Sequence, residues 1–151
     1  TNRVKRYDGV SGVSLGNFAA TNLHGPHDVA FGPDGFLYVS NAFEPRVRRY
    51  DGVSGVFVDS FVFDSALSGA LGLAWDDQGR LYVANQAANE VRRYDGETGA
   101  YFDSPVAAGA GGLSGPLFLC FRPRAVLAVR AVPSGPARLP GSRAAPRDHR
   151  A

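Results

Sequence analysis

The sequence predicts an all-β fold built from repeated four-stranded antiparallel units. Two observations carry that prediction. The phrase Val4-Lys5-Arg6-Tyr7-Asp8-Gly9 returns as Val47-Arg48-Arg49-Tyr50-Asp51-Gly52 and as Val91-Arg92-Arg93-Tyr94-Asp95-Gly96, at intervals of 43 and 44 residues. Between them a second phrase repeats: Val29-Ala30-Phe31 with Asp34-Gly35-Phe36-Leu37-Tyr38-Val39, then Leu73-Ala74-Trp75 with Gln78-Gly79-Arg80-Leu81-Tyr82-Val83. A period of about 40–45 residues filled with short strands is the pattern of a β-propeller blade. The chain therefore reads as a β-propeller fragment, with two complete four-stranded antiparallel blades and partial blades at both ends.

Each element follows in order. Val4–Tyr7 and Val13–Phe18 are the third and fourth strands of a partial blade, residues 1–20. The blade 27–63 opens with the short apolar run Asp28–Phe31. Gly32-Pro33-Asp34-Gly35 turns the chain, with Pro33 presetting φ and Gly35 supplying a positive φ. Phe36–Ser40 is the second strand, rich in aromatic and β-branched residues. A loop at 42–45 leads to the third strand, Val47–Tyr50. Asp51–Gly55 is a tight hairpin loop into the fourth strand, Val56–Phe63. The blade 71–106 repeats this order. A last partial blade, 115–121, begins at Gly115-Pro116-Leu117-Phe118, which aligns with Gly25-Pro26-His27-Asp28.

The side-chain patterns place these strands. Phe36-Leu37-Tyr38-Val39 is apolar without alternation, as a strand covered on both faces must be. That fits a blade stacked between two neighbours. The third strands carry Arg48-Arg49 and Arg92-Arg93, offset by nearby acids, and are expected near a wet rim with their arginines solvated.

Residues 122–151 differ in kind. Nineteen of the 30 are Arg, Ala or Pro, and no Asp-Gly turn follows Pro123. Such a segment offers little apolar surface to offset the entropy of ordering. It is expected to be a disordered tail or the product of a shifted reading frame, although Val126-Leu127-Ala128-Val129 falls where a second strand is due.

Charge and composition exclude several classes. Residues 1–121 sum to −4 and residues 122–151 to +6, so the net +2 belongs to the tail. A mildly acidic repeat region argues against a nucleic-acid partner. No apolar stretch reaches about 18 residues, so no membrane span is expected. Cys120 is the single cysteine and cannot close an intrachain disulfide. Inside Leu117–Phe121 it reads as a small buried hydrophobe. No targeting signal is recognisable, and the absence of Met reads as a piece of a longer or processed chain; the location, export included, is left open.

The repeats Gly25-Pro26-His27-Asp28-Val29-Ala30-Phe31-Gly32-Pro33-Asp34-Gly35-Phe36-Leu37-Tyr38-Val39-Ser40-Asn41 and Val47-Arg48-Arg49-Tyr50-Asp51-Gly52 resemble NHL-type β-propeller repeats. The resemblance covers residues 1–121 and extends to the six-bladed propeller group with streptogramin-lyase-like and gluconolactonase-like members. It implies that the first strand of each blade lines a central channel. Members include binding scaffolds and metal-dependent enzymes, so the fold leaves function open.

The candidate site residues follow from that placement. His27 and Asp28 stand at the start of an innermost strand, near the channel mouth. Pro26-His27-Asp28-Val29 looks like the first-strand motif of the peptide-amidating lyases, whose resemblance implies zinc held by one His from each of several blades. Here Leu71 and Leu117 occupy the matching positions, which removes two of three ligands. His24 in the adjacent loop could pair with His27. Asn41 and Asn85 end equivalent second strands. The gluconolactonase-like resemblance implies Asn, Asp and Glu ligands in the channel, whereas repetition at one blade position reads as an Asn closing its own turn. The loops Asp51-Gly52-Val53-Ser54-Gly55 and Asp95-Gly96-Glu97-Thr98-Gly99 lack the spacing of an EF-hand and read as Asx-type turns. No nucleophile elbow, P-loop or dinucleotide fingerprint is present.

The sequence is therefore expected to encode a non-catalytic binding or scaffold module that engages a protein, peptide or glycan, with His27, Asp28, Asn41 and Asn85 at the channel mouth and no cofactor. The competing reading is a part of a metal-dependent lyase or lactonase. The complementary partial blades also predict a homodimer that completes a six-bladed ring.

Overall fold

The protein is described by a computed structural model covering residues 2–122 and 126–131. The described residues form four antiparallel sheets in chain order. The strands β1 (Val4–Tyr7) and β2 (Ser14–Ala19) make the first, two-stranded sheet. The second is a four-stranded meander of β3 (Pro26–Phe31), β4 (Leu37–Asn41), β5 (Arg46–Tyr50) and β6 (Phe57–Phe63). The third repeats it with β7 (Ala70–Trp75), β8 (Leu81–Asn85), β9 (Glu90–Tyr94) and β10 (Tyr101–Val106). The fourth pairs β11 (Pro116–Arg122) with β12 (Val126–Ala131). The only helical element among the described residues is a 3-10 turn at Ala110–Gly112.

Three apolar layers lie between successive sheets, as the two-sided second strands require. Leu37 and Val39 leave one face of β4 and pack with Ala19, Leu23 and Tyr50 against the first sheet. Tyr38 leaves the other face and packs with Leu73, Leu81 and Val83 of the third sheet. Ala74, Tyr82 and Ala84 meet Leu119 of the fourth. All five residues of β4 and of β8 are buried. Each Leu or Val so enclosed contributes about 1.5–3 kcal/mol relative to exposure, so the stack is held mainly by what each sheet shares with its neighbour.

The third strands depart from expectation. Their arginines are drawn in rather than solvated, with Arg48, Arg92 and Arg93 side chains only 11%, 12% and 15% exposed. Carboxylates account for it. Arg48 pairs with Glu44 at 2.6 Å, Arg49 with Asp59 at 2.6 Å, Arg92 with Glu90 at 2.9 Å, and Arg93 with Asp103. Aromatic rings cover the guanidinium planes: Arg92 lies 4.1 Å from the Tyr101 centroid and Arg46 4.2 Å from that of Phe63. The tyrosines of the repeated phrase are fully buried, and each reaches back to the connection that precedes its blade. The Tyr50 hydroxyl donates to the Thr21 carbonyl at 2.6 Å, and that of Tyr94 to Asp64 Oδ2 at 2.9 Å.

Two further expectations are corrected at the end of the chain. Cys120 is exposed rather than buried, because it points away from the third sheet and no further sheet covers it among the described residues. Strand β12 stands inside the segment expected to be a tail. Its apolar residues oppose those of β11, Leu127 against Phe121 and Val129 against Leu119, and that pairing outweighs the surrounding composition. The rest of the expected tail, residues 132–151, lies outside the described residues.

Candidate functional site

The first strands β3, β7 and β11 lie side by side and line the inner edge of the stack. Their seams differ. Between the second and third sheets the seam is polar. Asp28 Oδ2 accepts the Leu73 N–H at 2.9 Å, and the Ser40 hydroxyl donates to the Leu71 carbonyl at 2.5 Å. Between the third and fourth sheets the equivalents are Gly72 and Ala84. A Cβ added at Gly72 would stand 2.6 Å from the Leu117 carbonyl oxygen, so the absent side chain is what lets β11 close in.

This geometry assigns the expected site residues unequal parts. His27 is exposed on the inner edge, its ring centroid 5.5 Å from that of Phe118 on β11. The Arg130 guanidinium lies 5.8 Å from the other partner's ring, that of Phe118. Imidazole, phenyl and guanidinium thus converge at the channel. Asp28 is turned into the seam and its carboxylate is spent on backbone N–H groups of Val29 and Leu73.

Asn41 and Asn85 do not offer a ligand surface: both are fully buried. Nor does either close its own turn. Asn41 Oδ1 accepts the His24 N–H at 3.1 Å, and Asn85 Oδ1 accepts the Ser68 N–H at 2.6 Å, each 17 residues upstream. Each Asn therefore pins the loop that enters its blade. Asn85 Nδ2 also donates to Ala66 O and Glu90 Oε1, whereas Asn41 faces Arg46 across the ladder and its Nδ2 has no partner among the described residues.

The loops so pinned form one face, and its exposed groups were not legible beforehand. Phe43 is 84% exposed and lies over Gly25, where a Cβ would come within 2.6 Å of its ring. His24 pairs with Glu44 at 2.9 Å rather than with His27. Glu44 also takes Arg48 at 2.6 Å. Beside Phe43 a cleft of about 180 Å³ runs between Ala42–Pro45 and Leu67–Gly69. The signal that could have found this face is the loop Ala42-Phe43-Glu44-Pro45, which has an aromatic where the next blade has Ala87.

Among the described residues no three His, Cys, Asp or Glu side chains converge as a metal site would require, and no helix is long and apolar enough to cross a membrane.

No family model and no curated protein matches the sequence. Among solved structures the chain is similar to a catalytically inactive histidine-to-alanine variant of virginiamycin B lyase from Staphylococcus aureus, solved with quinupristin. The match has a TM-score of 0.56 and 11% identity, and covers 78% of this chain. The fold is a β-propeller sector. It spans 38% of the length of that lyase chain, and at this identity the likeness concerns architecture alone. In propeller terms the second and third sheets are complete blades, the first supplies third and fourth strands, and the fourth supplies first and second strands.

Proposed function

We propose that the chain is a non-catalytic binding module that holds a protein, peptide or glycan segment across the loop face. The observation that carries this reading is Phe43, a large aromatic 84% exposed beside a polar cleft. An exposed ring on a supported loop gives apolar contact at small entropic cost, and the adjacent Glu44 carboxylate and cleft carbonyls accept hydrogen bonds from amides or hydroxyls. Asn41 and Asn85 serve this face from below by fixing its loops. His27 and Asp28 belong to the channel edge beside it.

The test is a titration of isotope-labelled chain with a panel of short oligosaccharides and a mixed peptide library, followed by amide shifts. Perturbation confined to residues 42–45 and 67–69, with affinity reduced about tenfold in Phe43→Ala, supports the reading. No response at these residues to any probe contradicts it.

A second reading is favoured by one observation, the open imidazole of His27 on the inner edge in a fold shared with a lyase. It makes the chain part of a metal-dependent propeller enzyme. Calorimetry with zinc separates the two: the binding-module reading expects nothing tighter than about millimolar, since a single imidazole holds zinc weakly. A micromolar site abolished by His27→Ala would favour the enzyme.

A further inference from the structure

We propose that the chain pairs head to tail with a second copy, β12 of one completing the blade that β1 and β2 begin in the other. The first sheet holds only third and fourth strands and the fourth only first and second, so each contains what the other lacks. Among the described residues, nothing pairs with the outer edge of β1 or with the free edge of β12. Unpaired edges of this kind are templates for another strand.

The vacant place has a defined shape. A cavity of about 370 Å³ lies where the missing strands of the first blade would sit, between β1 and the Val29, Phe31 and Leu37 side of β3 and β4. Val29 is 46% and Phe31 62% exposed there. In the complete stack the equivalent side of the third sheet, Leu73 and Trp75, is covered by Ala30 and Tyr38 of the preceding blade. The open side of the last sheet carries the matching pair Cys120 and Ala128, both exposed. What is bare at one end is thus the same kind of face that is covered in the middle.

The intact blade also fixes the register. Within it Leu37 opposes Tyr50, Tyr38 opposes Arg49 and Val39 opposes Arg48. Transferred to the joint, Leu127 of one copy opposes Tyr7 of the other, Ala128 opposes Arg6 and Val129 opposes Lys5. Like charges do not meet across this ladder. Two such joints, related by a two-fold axis along the channel, close the ring without leaving a free edge. Ala128 stands where the intact blade has Tyr38, so the joint is underfilled and its association correspondingly weak.

Cross-linking between distinct variants tests this. In a Cys120→Ser background, Arg6→Cys chain is mixed with Ala128→Cys chain under mild oxidation. Each variant has one thiol, so a bond between unlike variants is necessarily intermolecular, and directly opposed strand residues are close enough to be bridged. The expected result is a disulfide-linked species of twice the 16.0 kDa chain mass, absent when Val10→Cys, on a fully exposed loop, replaces Arg6→Cys. Sedimentation of the unsubstituted chain should show the same dimer, and Ala128→Tyr should tighten it about tenfold by filling the cavity. A chain that remains monomeric at high concentration, with no cross-link above the Val10→Cys control, would overturn the proposal and assign the face to a different occupant. Association left unchanged by Ala128→Tyr would overturn the register.

Discussion

Gly99 lies directly against the main chain of Phe61 in the preceding blade: a Cβ on Gly99 would stand 2.0 Å from the Phe61 carbonyl oxygen. Gly55 stands in the same relation to Phe18, at 1.9 Å. The second glycine of each Asp-Gly-x-x-Gly loop is therefore the point at which one blade's hairpin rests on the last strand of the blade before it. The loop holds itself through its aspartate. Asp95 Oδ1 accepts from Glu97 N, Thr98 N and the Thr98 hydroxyl, and Asp51 and Asp8 repeat the pattern with Ser54 and Ser11.

Substitution separates the backbone conformation from the contact. Gly12 and Gly99 have φ of +70° and +72°, but nothing lies within 4 Å of a Cβ at Gly12. Gly12→Ala is expected to cost only the left-handed penalty, about 1 kcal/mol. Gly99→Ala adds a collision with backbone that cannot swing aside and is expected to cost about 3 kcal/mol. Urea unfolding of both variants decides it. Equal costs would mean that the hairpin does not bear on the neighbouring blade.

The Asp28 carboxylate ties β3 to β7. Asp28→Ala is expected to cost about 1–3 kcal/mol, since the Leu73 N–H loses its acceptor. Hydrogen exchange at the Leu73 amide should accelerate in this variant while exchange at Tyr82, inside the next blade, changes little. Unaltered protection at Leu73 would contradict the polar seam.

Stability should fall at both ends of the pH scale. The Asp8, Asp51 and Asp95 carboxyls are held below their ordinary value of 3.8 by the N–H and hydroxyl donors of their own loops. Burial pushes Asp76 up, but hydrogen bonds from Arg80, Gln78 and Tyr82 outweigh it and hold this carboxyl low as well. Carboxyls depressed in the folded state stabilise it above their unfolded values, and that contribution is lost as pH falls below about 4. Tyr38 and Tyr50 are pushed up to about 12, chiefly by burial. Their contribution is complete below about pH 10 and disappears as pH rises toward 12. The thermal midpoint should thus be level from about pH 5 to 9 and drop on either side, with a shallower acid limb in Asp76→Asn. A midpoint that climbs on acidification to pH 3 would contradict this assignment.

The repeat phrases made the blades readable because they encode local chemistry. The turn Gly32–Gly35, the hairpin loops and the two-sided strand Leu37–Asn41 all depend on residues close in sequence. What the phrases do not encode is the face each residue turns toward a neighbouring blade. Arg48 and Arg92 read as rim residues until Glu44 and Glu90 are seen beside them. Asn41 and Asn85 read as channel or turn residues because their true partners, the His24 and Ser68 amides, lie in loops of little sequence likeness. Phe43 was missed for a related reason: it belongs to one blade alone, so repetition gave it no emphasis.

The central claim is that the repeats curl around a common channel, and His27 and Phe118 measure it most directly. They lie 91 positions apart in the sequence and two blades apart in the stack, yet their ring centroids are separated by 5.5 Å. A nuclear Overhauser spectrum of the chain should contain a cross-peak between these two rings, comparable to that of Tyr38 and Phe61, whose centroids are 4.9 Å apart within one blade. Loss of the His27–Phe118 cross-peak while the Tyr38–Phe61 peak persists would mean that the blades form but do not gather around a channel.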